Sequence, residues 1–149
     1  GIDVGTHYQI LDWLYLDANV TYAYARSVED PEGSNYIPLA PNWTSSGGIS
    51  VQHPIGLNAG LRYRYIHDRP ANEDNSIVAA GYGIFDLNAS YQWRAFKFGF
   101  VIQNLFNAEW NETQFATESR LRGEATSVEE IHFTPGAPFG IRGQIEYRF

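Results

Sequence analysis

The stretch WLYLDANVTYAYAR, residues 13–26, alternates apolar and polar side chains along most of its length. One set comprises Leu14, Leu16, Ala18, Val20, Tyr22 and Tyr24, and the other comprises Tyr15, Asp17, Asn19, Thr21 and Ala23. A period of two residues is that of a β-strand, whose successive side chains point to opposite faces. The stretch therefore predicts a strand with one apolar and one mainly polar face.

The same alternation recurs in six further segments of the chain. They are residues 2–10, 43–53, 57–67, 83–93, 96–103 and 139–149. All 7 prolines fall outside these runs, as expected because proline cannot donate a hydrogen bond to a strand ladder. Short connections alternate with long ones, which span 27–41, 68–81 and about 104–138. The pattern predicts an all-β antiparallel meander of about seven strands with one tight end and one elaborated end.

The placement of aromatic residues favours a membrane over a soluble core. No apolar run reaches the roughly 18 residues of a spanning helix, so any crossing must use strands. On the apolar faces, two aromatic bands flank an aliphatic belt. They are Tyr22, Tyr24, Trp43, Tyr63 and Tyr65 near the long loops, and Tyr91, Trp93, Phe96, Tyr147 and Phe149 near the tight turns. Such bands are typical of strands that cross a bilayer, although a soluble β-sandwich binding module stays possible.

Charged residues occupy the opposite face of the predicted strands. They are Asp17, Arg62, Arg64, Asp86, Arg142, Glu146 and Arg148. So much charge does not suit a dry core and fits a wet or plugged lumen. We expect these residues to have a structural role, in which the arginines meet acidic partners across the wall or on a segment inside the lumen.

The odd number of predicted strands indicates a part of a larger barrel. Bacterial single-chain barrels have an even number of strands, and an open sheet would leave unpaired backbone groups in hydrocarbon. We expect the chain to be roughly the last third of such a barrel, cut at Gly1 and ending at a true C-terminus, Phe149. A small stand-alone outer-membrane barrel with a structural or adhesion role is the alternative.

Charge and residue content argue against several other functions. The formal net charge of −7 makes a nucleic-acid partner improbable, because phosphate binding needs a positive surface. The chain has no cysteine, and its four histidines, His7, His53, His67 and His132, lack metal-ligand spacing. We therefore predict no metal site, no cofactor, no catalytic residues and no enzymatic activity.

An ordered series of short motifs resembles the C-terminal barrel strands of TonB-dependent outer-membrane receptors. The motifs are YIPLAP at 36–41, RYRY at 62–65, Tyr82 with FDL at 85–87, NLFN at 104–107, FTPG at 133–136 and the closing YRF at 147–149. The resemblance implies a 22-stranded barrel with an N-terminal plug in its lumen. It makes residues 1–149 the C-terminal part of the barrel domain, without the plug and the remaining strands.

The resemblance also implies a function and a location. Receptors of this family take up scarce ligands, most often ferric siderophores, across the outer membrane of Gram-negative bacteria. The expected partners are outer-membrane lipid, the transported ligand such as a metal chelate, and the TonB complex. Contact with TonB would be made through the N-terminal plug region, which lies outside these residues.

The long segment 104–138 carries the candidate ligand-binding residues. They are Trp110, Phe115, Arg120, Arg122 and His132. Aromatic faces combined with cations suit an anionic, aromatic iron chelate. The alternative is that these side chains pack the loop against neighbouring loops.

Overall fold

The computed structural model describes all residues, 1–149, and consists of strands and connections. The strands are β1 (Ile2–Leu11), β2 (Leu14–Tyr22), β3 (Trp43–His53), β4 (Leu57–Ile66), β5 (Arg69–Pro70), β6 (Val78–Ala79), β7 (Tyr82–Trp93), β8 (Phe96–Gln103), β9 (Asn111–Ser119), β10 (Val128–Pro135) and β11 (Gly140–Tyr147). The predicted all-β class is confirmed. The structure contains no helix of the length and apolar character needed to cross a bilayer.

Seven strands form one antiparallel sheet in the order β1-β2-β3-β4-β7-β8-β11. They correspond to the seven predicted strands, so the predicted meander is confirmed. The edge strands β1 and β11 do not pair with each other, and the sheet is therefore open. Most boundaries differ by one or two residues, and the largest difference is in β2, which ends at Tyr22, while Arg26 forms an isolated bridge with Tyr36. Beyond the end of β2, the Arg26 guanidinium packs over the rings of Tyr24 and Tyr36, at 4.5 and 3.9 Å.

The register between strands aligns apolar residues with apolar residues. One continuous row contains Tyr8, Leu16, Ile49, Leu61, Leu87, Ile102 and Ile141. The adjacent row contains His7, Asp17, Gly48, Arg62 and Asp86. Directly paired residues project from the same side of a sheet, and successive rows project from opposite sides. The register therefore creates the apolar face and the polar face that the alternation predicts.

Neither face of this sheet packs into a hydrophobic core. Only 9 of 149 residues are buried, and the hydrophobic ones among them are Ala71, Ala79 and Ile84. On the apolar face Leu16 and Leu61 are half-buried, and Phe98 is exposed. A monomer in water rarely exposes a contiguous apolar surface of this extent. Because no second sheet covers the apolar face, the soluble sandwich is not supported.

Aromatic side chains gather at both ends of the apolar face. Near the long connections the rings of Tyr22 and Trp43 lie 4.8 Å apart. Near the tight turns Phe96 pairs with Trp93 in register and packs against Tyr147 at 4.9 Å between ring centroids. The aliphatic row lies between these two groups, as expected of a strand wall that spans a bilayer.

Two long connections contain hairpins that the alternation of the sequence does not predict. Strands β5 and β6 pair within 68–81, and the longer β9 and β10 pair within 104–138. Neither hairpin has a continuous apolar side, and polar contacts with other connections hold each of them in place. These contacts shape the elaborated end of the molecule.

Candidate functional site

The three long connections join in one loop cluster, which comprises residues 23–42, 67–81 and 104–139. Main-chain hydrogen bonds link the first connection to the second. The Tyr36 N–H donates to the Glu73 carbonyl at 3.0 Å, and the Leu39 N–H donates to the Pro70 carbonyl at 2.7 Å. The first two connections are therefore fixed to each other independently of their side chains.

Side-chain amides link the second connection to the β9–β10 hairpin. Gln114 accepts a hydrogen bond from the Ala80 N–H at 3.0 Å and donates one to the Ala80 carbonyl at 2.7 Å. Asn72 donates to the Glu129 carboxylate at 3.3 Å. Gln114 and Asn72 are each 4% exposed, so these bonds are shielded from water. The hairpin is docked on its neighbour through one of its two faces.

The NLFN motif at 104–107 closes the base of the hairpin. Asn104 and Asn107 adopt positive φ values of 49° and 50°, a region that asparagine tolerates better than most residues. The buried Asn104 amide donates to the carbonyls of Ala108 and Ala137 at 2.8 and 3.1 Å. Asn107 accepts from the Phe139 N–H at 2.9 Å. The two asparagines thus tie the start of the third connection to its end.

Trp110 lies at this same base, with its polar atom and much of its ring engaged. Its indole N–H donates to the Ala137 carbonyl at 3.0 Å. Its ring packs against Tyr82 at 4.9 Å between centroids and lies 5.9 Å from the Arg64 guanidinium carbon. Gly136 approaches the ring so closely that a Cβ there would overlap it. These contacts match the packing alternative for Trp110.

Phe115 and His132 form a stacked pair on the other face of the hairpin from Gln114. They are paired in register, with ring centroids 5.8 Å apart and planes 17° apart. The Nε2 atom of His132 lies 3.8 Å from a Glu130 carboxylate oxygen and has no hydrogen-bond partner. Phe115 remains 45% exposed. This pair presents an aromatic surface that the loop cluster does not cover.

The candidate arginines lie at the tip of the hairpin, away from the other candidates. Arg120 and Arg122 are exposed, and neither takes part in an ion pair. At ~3.3 Å per residue, the length of β9 separates Trp110 from Arg120 by roughly 30 Å. The structure brings Phe115 and His132 together but does not gather all five candidates into one pocket.

An ion pair spans three strands on the polar face. Arg62 on β4 reaches over β3 to Asp17 on β2, with 2.6 Å between guanidinium nitrogen and carboxylate oxygen. Gly48 lies between these residues in register. A Cβ on Gly48 would lie 2.7 Å from Arg62 Cδ and 2.5 Å from the Leu61 carbonyl oxygen. The glycine therefore provides the gap through which the arginine side chain passes.

A second ion pair joins the polar face to the loop cluster. One oxygen of Asp86 lies 3.7 Å from the Arg64 guanidinium, and the other accepts a hydrogen bond from the Asn104 N–H at 2.9 Å. At the tight end Arg148 contacts Glu146 at 3.0 Å. Arg142 has no acidic side chain within 4.0 Å. The charged residues thus include both paired and unpaired members.

Asp74 is the one carboxyl group of the loop cluster whose pKa clearly departs from its ordinary value. The Ser76 hydroxyl and the Ser76 N–H donate to it at 2.7 and 3.0 Å. These two bonds favour the ionised form and lower the pKa of Asp74. They fix the turn between β5 and β6.

Together, the open antiparallel sheet, its apolar face and its elaborated loop end define a wall segment of an outer-membrane barrel. Residues 1–105 match the family model described as TonB dependent receptor-like, beta-barrel. The chain therefore belongs to the TonB-dependent receptor β-barrel family. This is a receptor family of the Gram-negative outer membrane, so the predicted location is confirmed.

Solved structures share the fold of this chain at low sequence identity. The copper transporter OprC is 22% identical with a TM-score of 0.68, and the match covers 99% of this chain and 23% of OprC. The ferric yersiniabactin uptake receptor FyuA from Yersinia pestis is 15% identical with a TM-score of 0.65, covering 99% and 23%. The siderophore receptor PiuA from Acinetobacter baumannii is 14% identical with a TM-score of 0.67, covering 97% and 21%.

The matched structures are much longer than this chain. The chain spans less than a quarter of the length of each of these structures. A comparison with curated protein sequences finds no match. The matches therefore describe the fold of a barrel segment.

Proposed function

We propose that residues 1–149 form the C-terminal part of the barrel domain of a TonB-dependent receptor that takes up a scarce ligand. The observation that carries this proposal is the open seven-stranded sheet with one apolar and one charged face. The membership of the chain in the TonB-dependent receptor β-barrel family supports the type of receptor proposed. In this role the apolar face contacts lipid and the polar face lines the lumen.

The unpaired edges support a wall that continues beyond these residues. All residues of β1 are exposed, as are those of β11 except Gly140 and Glu146, which are half-buried. In hydrocarbon each unpaired backbone group costs several kcal/mol, so an open edge is unstable there. Pairing with further strands of the same barrel removes this cost.

A metal chelate is the proposed cargo, with a ferric siderophore as the first choice. The fold neighbours include a copper transporter, a ferric yersiniabactin receptor and a siderophore receptor. Within the loop cluster, Phe115 with His132 and the tip arginines Arg120 and Arg122 remain accessible for such a ligand. Energy would come from the TonB complex through an N-terminal plug region.

Uptake measurements on the full-length receptor test this function. Radiolabelled ferric siderophores, ferric citrate and copper are supplied to cells that carry or lack the receptor gene, in strains with and without TonB. We expect uptake of one chelate to fall to the background rate when either the receptor or TonB is removed. Uptake that persists without TonB would contradict the proposal.

A pair of variants tests the loop residues. Replacing Arg120→Ala together with Arg122→Ala should weaken binding of an anionic chelate about tenfold, the change produced by losing about 1.4 kcal/mol of contact energy. Arg94→Ala is the matched control, because Arg94 lies in the tight turn beside Trp93, at the other end of the strands. Equal binding by both variants would remove the tip arginines from the ligand site.

A further inference from the structure

The loop cluster contains a buried cation that has no acidic partner. Arg69, on β5, is only 8% exposed, and no other charged residue of the chain is buried. The side chains of Arg62 and Arg64, by comparison, are more than half exposed, and each lies within 4.0 Å of a carboxylate. No carboxylate lies within 4.0 Å of Arg69. Because a buried charge without a partner is strongly destabilising, the presence of Arg69 needs a physical reason.

The Arg69 guanidinium also uses few of its hydrogen-bond donors. Its one hydrogen bond runs from Nη1 to the Ala80 carbonyl at 3.5 Å, and that carbonyl already accepts a 2.7 Å bond from the Gln114 amide. A guanidinium carries five N–H donors in a planar fork. The only fully buried side-chain nitrogen or oxygen that lacks a partner is Nε2 of His132. The Nε and Nη2 atoms of Arg69, which bond to nothing in this chain, are therefore accessible to a small partner from outside.

The carboxylates of the same connection do not neutralise Arg69. Asp68 and Asp74 each accept a hydrogen bond from a main-chain N–H, at 2.6 and 3.0 Å. Glu73 forms no ion pair. Residues 67–81 thus contain three acidic side chains, and none of them pairs with the arginine. A shortage of acidic residues nearby in the sequence does not explain the unpaired charge.

Arg69 lies where the three long connections meet, and its backbone is held from several sides. The Leu39 N–H of the first connection donates to the Pro70 carbonyl at 2.7 Å. Gln114 of the third connection bonds to both main-chain groups of Ala80. In register, Arg69 is paired with a β6 residue that is fully buried. A donor held in this way loses little conformational freedom when it binds an anion.

We propose that Arg69 binds an oxyanion, a carboxylate or phosphate group, of the metal chelate that the receptor takes up. The inference rests on the proposed function and adds a buried cation to the exposed Arg120 and Arg122 at the hairpin tip. The planar fork of a guanidinium matches the two oxygens of such a group. Burial limits the screening of this contact by water and salt, which weakens ion pairs at exposed positions. A partner that arrives with the cargo also explains why the chain itself supplies none.

Binding measurements on the full-length receptor in detergent test this site. The probes are ferric citrate, ferric complexes of carboxylate siderophores and, as a chelate without an oxyanion group, a neutral ferric trihydroxamate. Arg69→Met removes the charge and keeps an unbranched side chain, and it should weaken binding of a carboxylate chelate about tenfold. Arg94→Met removes the same charge in the β7–β8 turn and should leave the dissociation constant unchanged. Equilibrium dialysis with the radiolabelled chelates measures both variants.

Three results of these measurements would overturn the inference. The first is that no carboxylate chelate binds, and the second is that wild-type receptor and Arg69→Met bind such a chelate equally well. The third is an equal loss of trihydroxamate binding in Arg69→Met, which would show general damage to the loop cluster. Inorganic phosphate is included as a free anion. Displacement of a carboxylate chelate by phosphate in the wild type supports the site, whereas phosphate binding without chelate binding overturns its assignment to the cargo.

Limited proteolysis without a chelate distinguishes this site from a structural ion pair. If Arg69 is unpaired in the ligand-free receptor, Arg69→Met removes an uncompensated buried charge. The β9–β10 hairpin should then be cleaved no faster than in the wild type. If an acidic side chain outside residues 1–149 pairs with Arg69, the same substitution leaves that carboxylate unpaired and the hairpin should be cleaved faster. Faster cleavage would overturn the inference.

The uptake assay reports separately on the proposed function. TonB-dependent uptake of a chelate that wild-type receptor and Arg69→Met bind equally well would refute the inference alone. Binding of a carboxylate chelate that depends on Arg69, without TonB-dependent uptake of any chelate, would refute the function alone.

Discussion

The seven-stranded sheet and the loop cluster are stabilised in opposite ways. The sheet contributes only Gly47, Gly48 and Ile84 to the buried residues. The loop cluster contributes the others, which are Arg69, Ala71, Asn72, Ala79, Asn104 and Gln114. The strands of the sheet are joined by backbone hydrogen bonds, but the side chains on its two faces are not buried within this chain. The loop cluster is held by its own hydrogen bonds.

The largest effect is expected when the surroundings of the sheet are removed. Residues 1–149 expressed alone should not form a membrane-inserted monomer, because unpaired groups along β1 and β11 would cost tens of kcal/mol in hydrocarbon. Electrophoresis of heated and unheated samples after refolding into liposomes measures insertion. A stable, heat-modifiable monomer would show that the sheet needs no further strands and would favour the stand-alone barrel.

Filling the gap at Gly48 in the full-length receptor should weaken the sheet. A Cβ there overlaps the Leu61 carbonyl and Arg62 Cδ, so Gly48→Ala should lower the free energy of unfolding by about 3 kcal/mol. Gly143→Ala is the matched control, because a Cβ on Gly143 meets nothing within 4 Å. Urea unfolding in detergent compares the two. Equal midpoints would mean that the Asp17–Arg62 pair tolerates the extra atom.

Removing the Gln114 side chain should loosen the loop cluster without affecting the sheet. Gln114→Ala leaves the Ala80 N–H without its partner and leaves the Ala80 carbonyl with only the 3.5 Å bond from the Arg69 guanidinium, which costs about 2 kcal/mol locally. We expect faster proteolysis within the β9–β10 hairpin and an unchanged unfolding midpoint for the receptor. Gln52→Ala, at an exposed position of the sheet, is the control. A lowered midpoint would show that the two regions unfold together.

The smallest effect concerns the Asp74 turn, which is fully exposed. The lowered pKa means that the ionised carboxylate supports the turn above the ordinary pKa of 3.8, and this support is lost as the pH falls through the lowered value. Ser76→Ala removes the hydroxyl donor and should raise the pKa of Asp74 toward 3.8. An NMR titration of the carboxyl carbon measures the change. An unchanged pKa would assign the shift to the backbone bond.

The strands of the sheet could be predicted from the sequence because their information is local. Most of the strands repeat a two-residue pattern, and the short connections set the pairing of their two strands, as at residues 54–56 between β3 and β4. The β9–β10 hairpin could not be predicted in this way. Its anchor joins Gln114 to Ala80, 34 residues away, through polar groups that leave no periodic pattern.

For the candidate ligand residues too, the sequence predicts the residue types but not the long-range contacts. Composition identified aromatic and cationic side chains in segment 104–138. It could not show that the Trp110 ring packs against Tyr82 and Gly136. Asn104 and Gln114 were not singled out as site residues, although both are buried polar anchors. For Asn104, the second asparagine three residues later was a usable signal. For Gln114 the sequence offers none.

The Asp86 carboxylate makes two contacts: one oxygen faces the Arg64 guanidinium, and the other accepts a hydrogen bond from the Asn104 N–H. Segment 104–139 is consequently not an interchangeable cassette. If this loop is grafted onto another barrel, the recipient strand needs a hydrogen-bond acceptor at the position of Asp86. Without that acceptor, the grafted loop loses the hydrogen bond that joins it to the sheet.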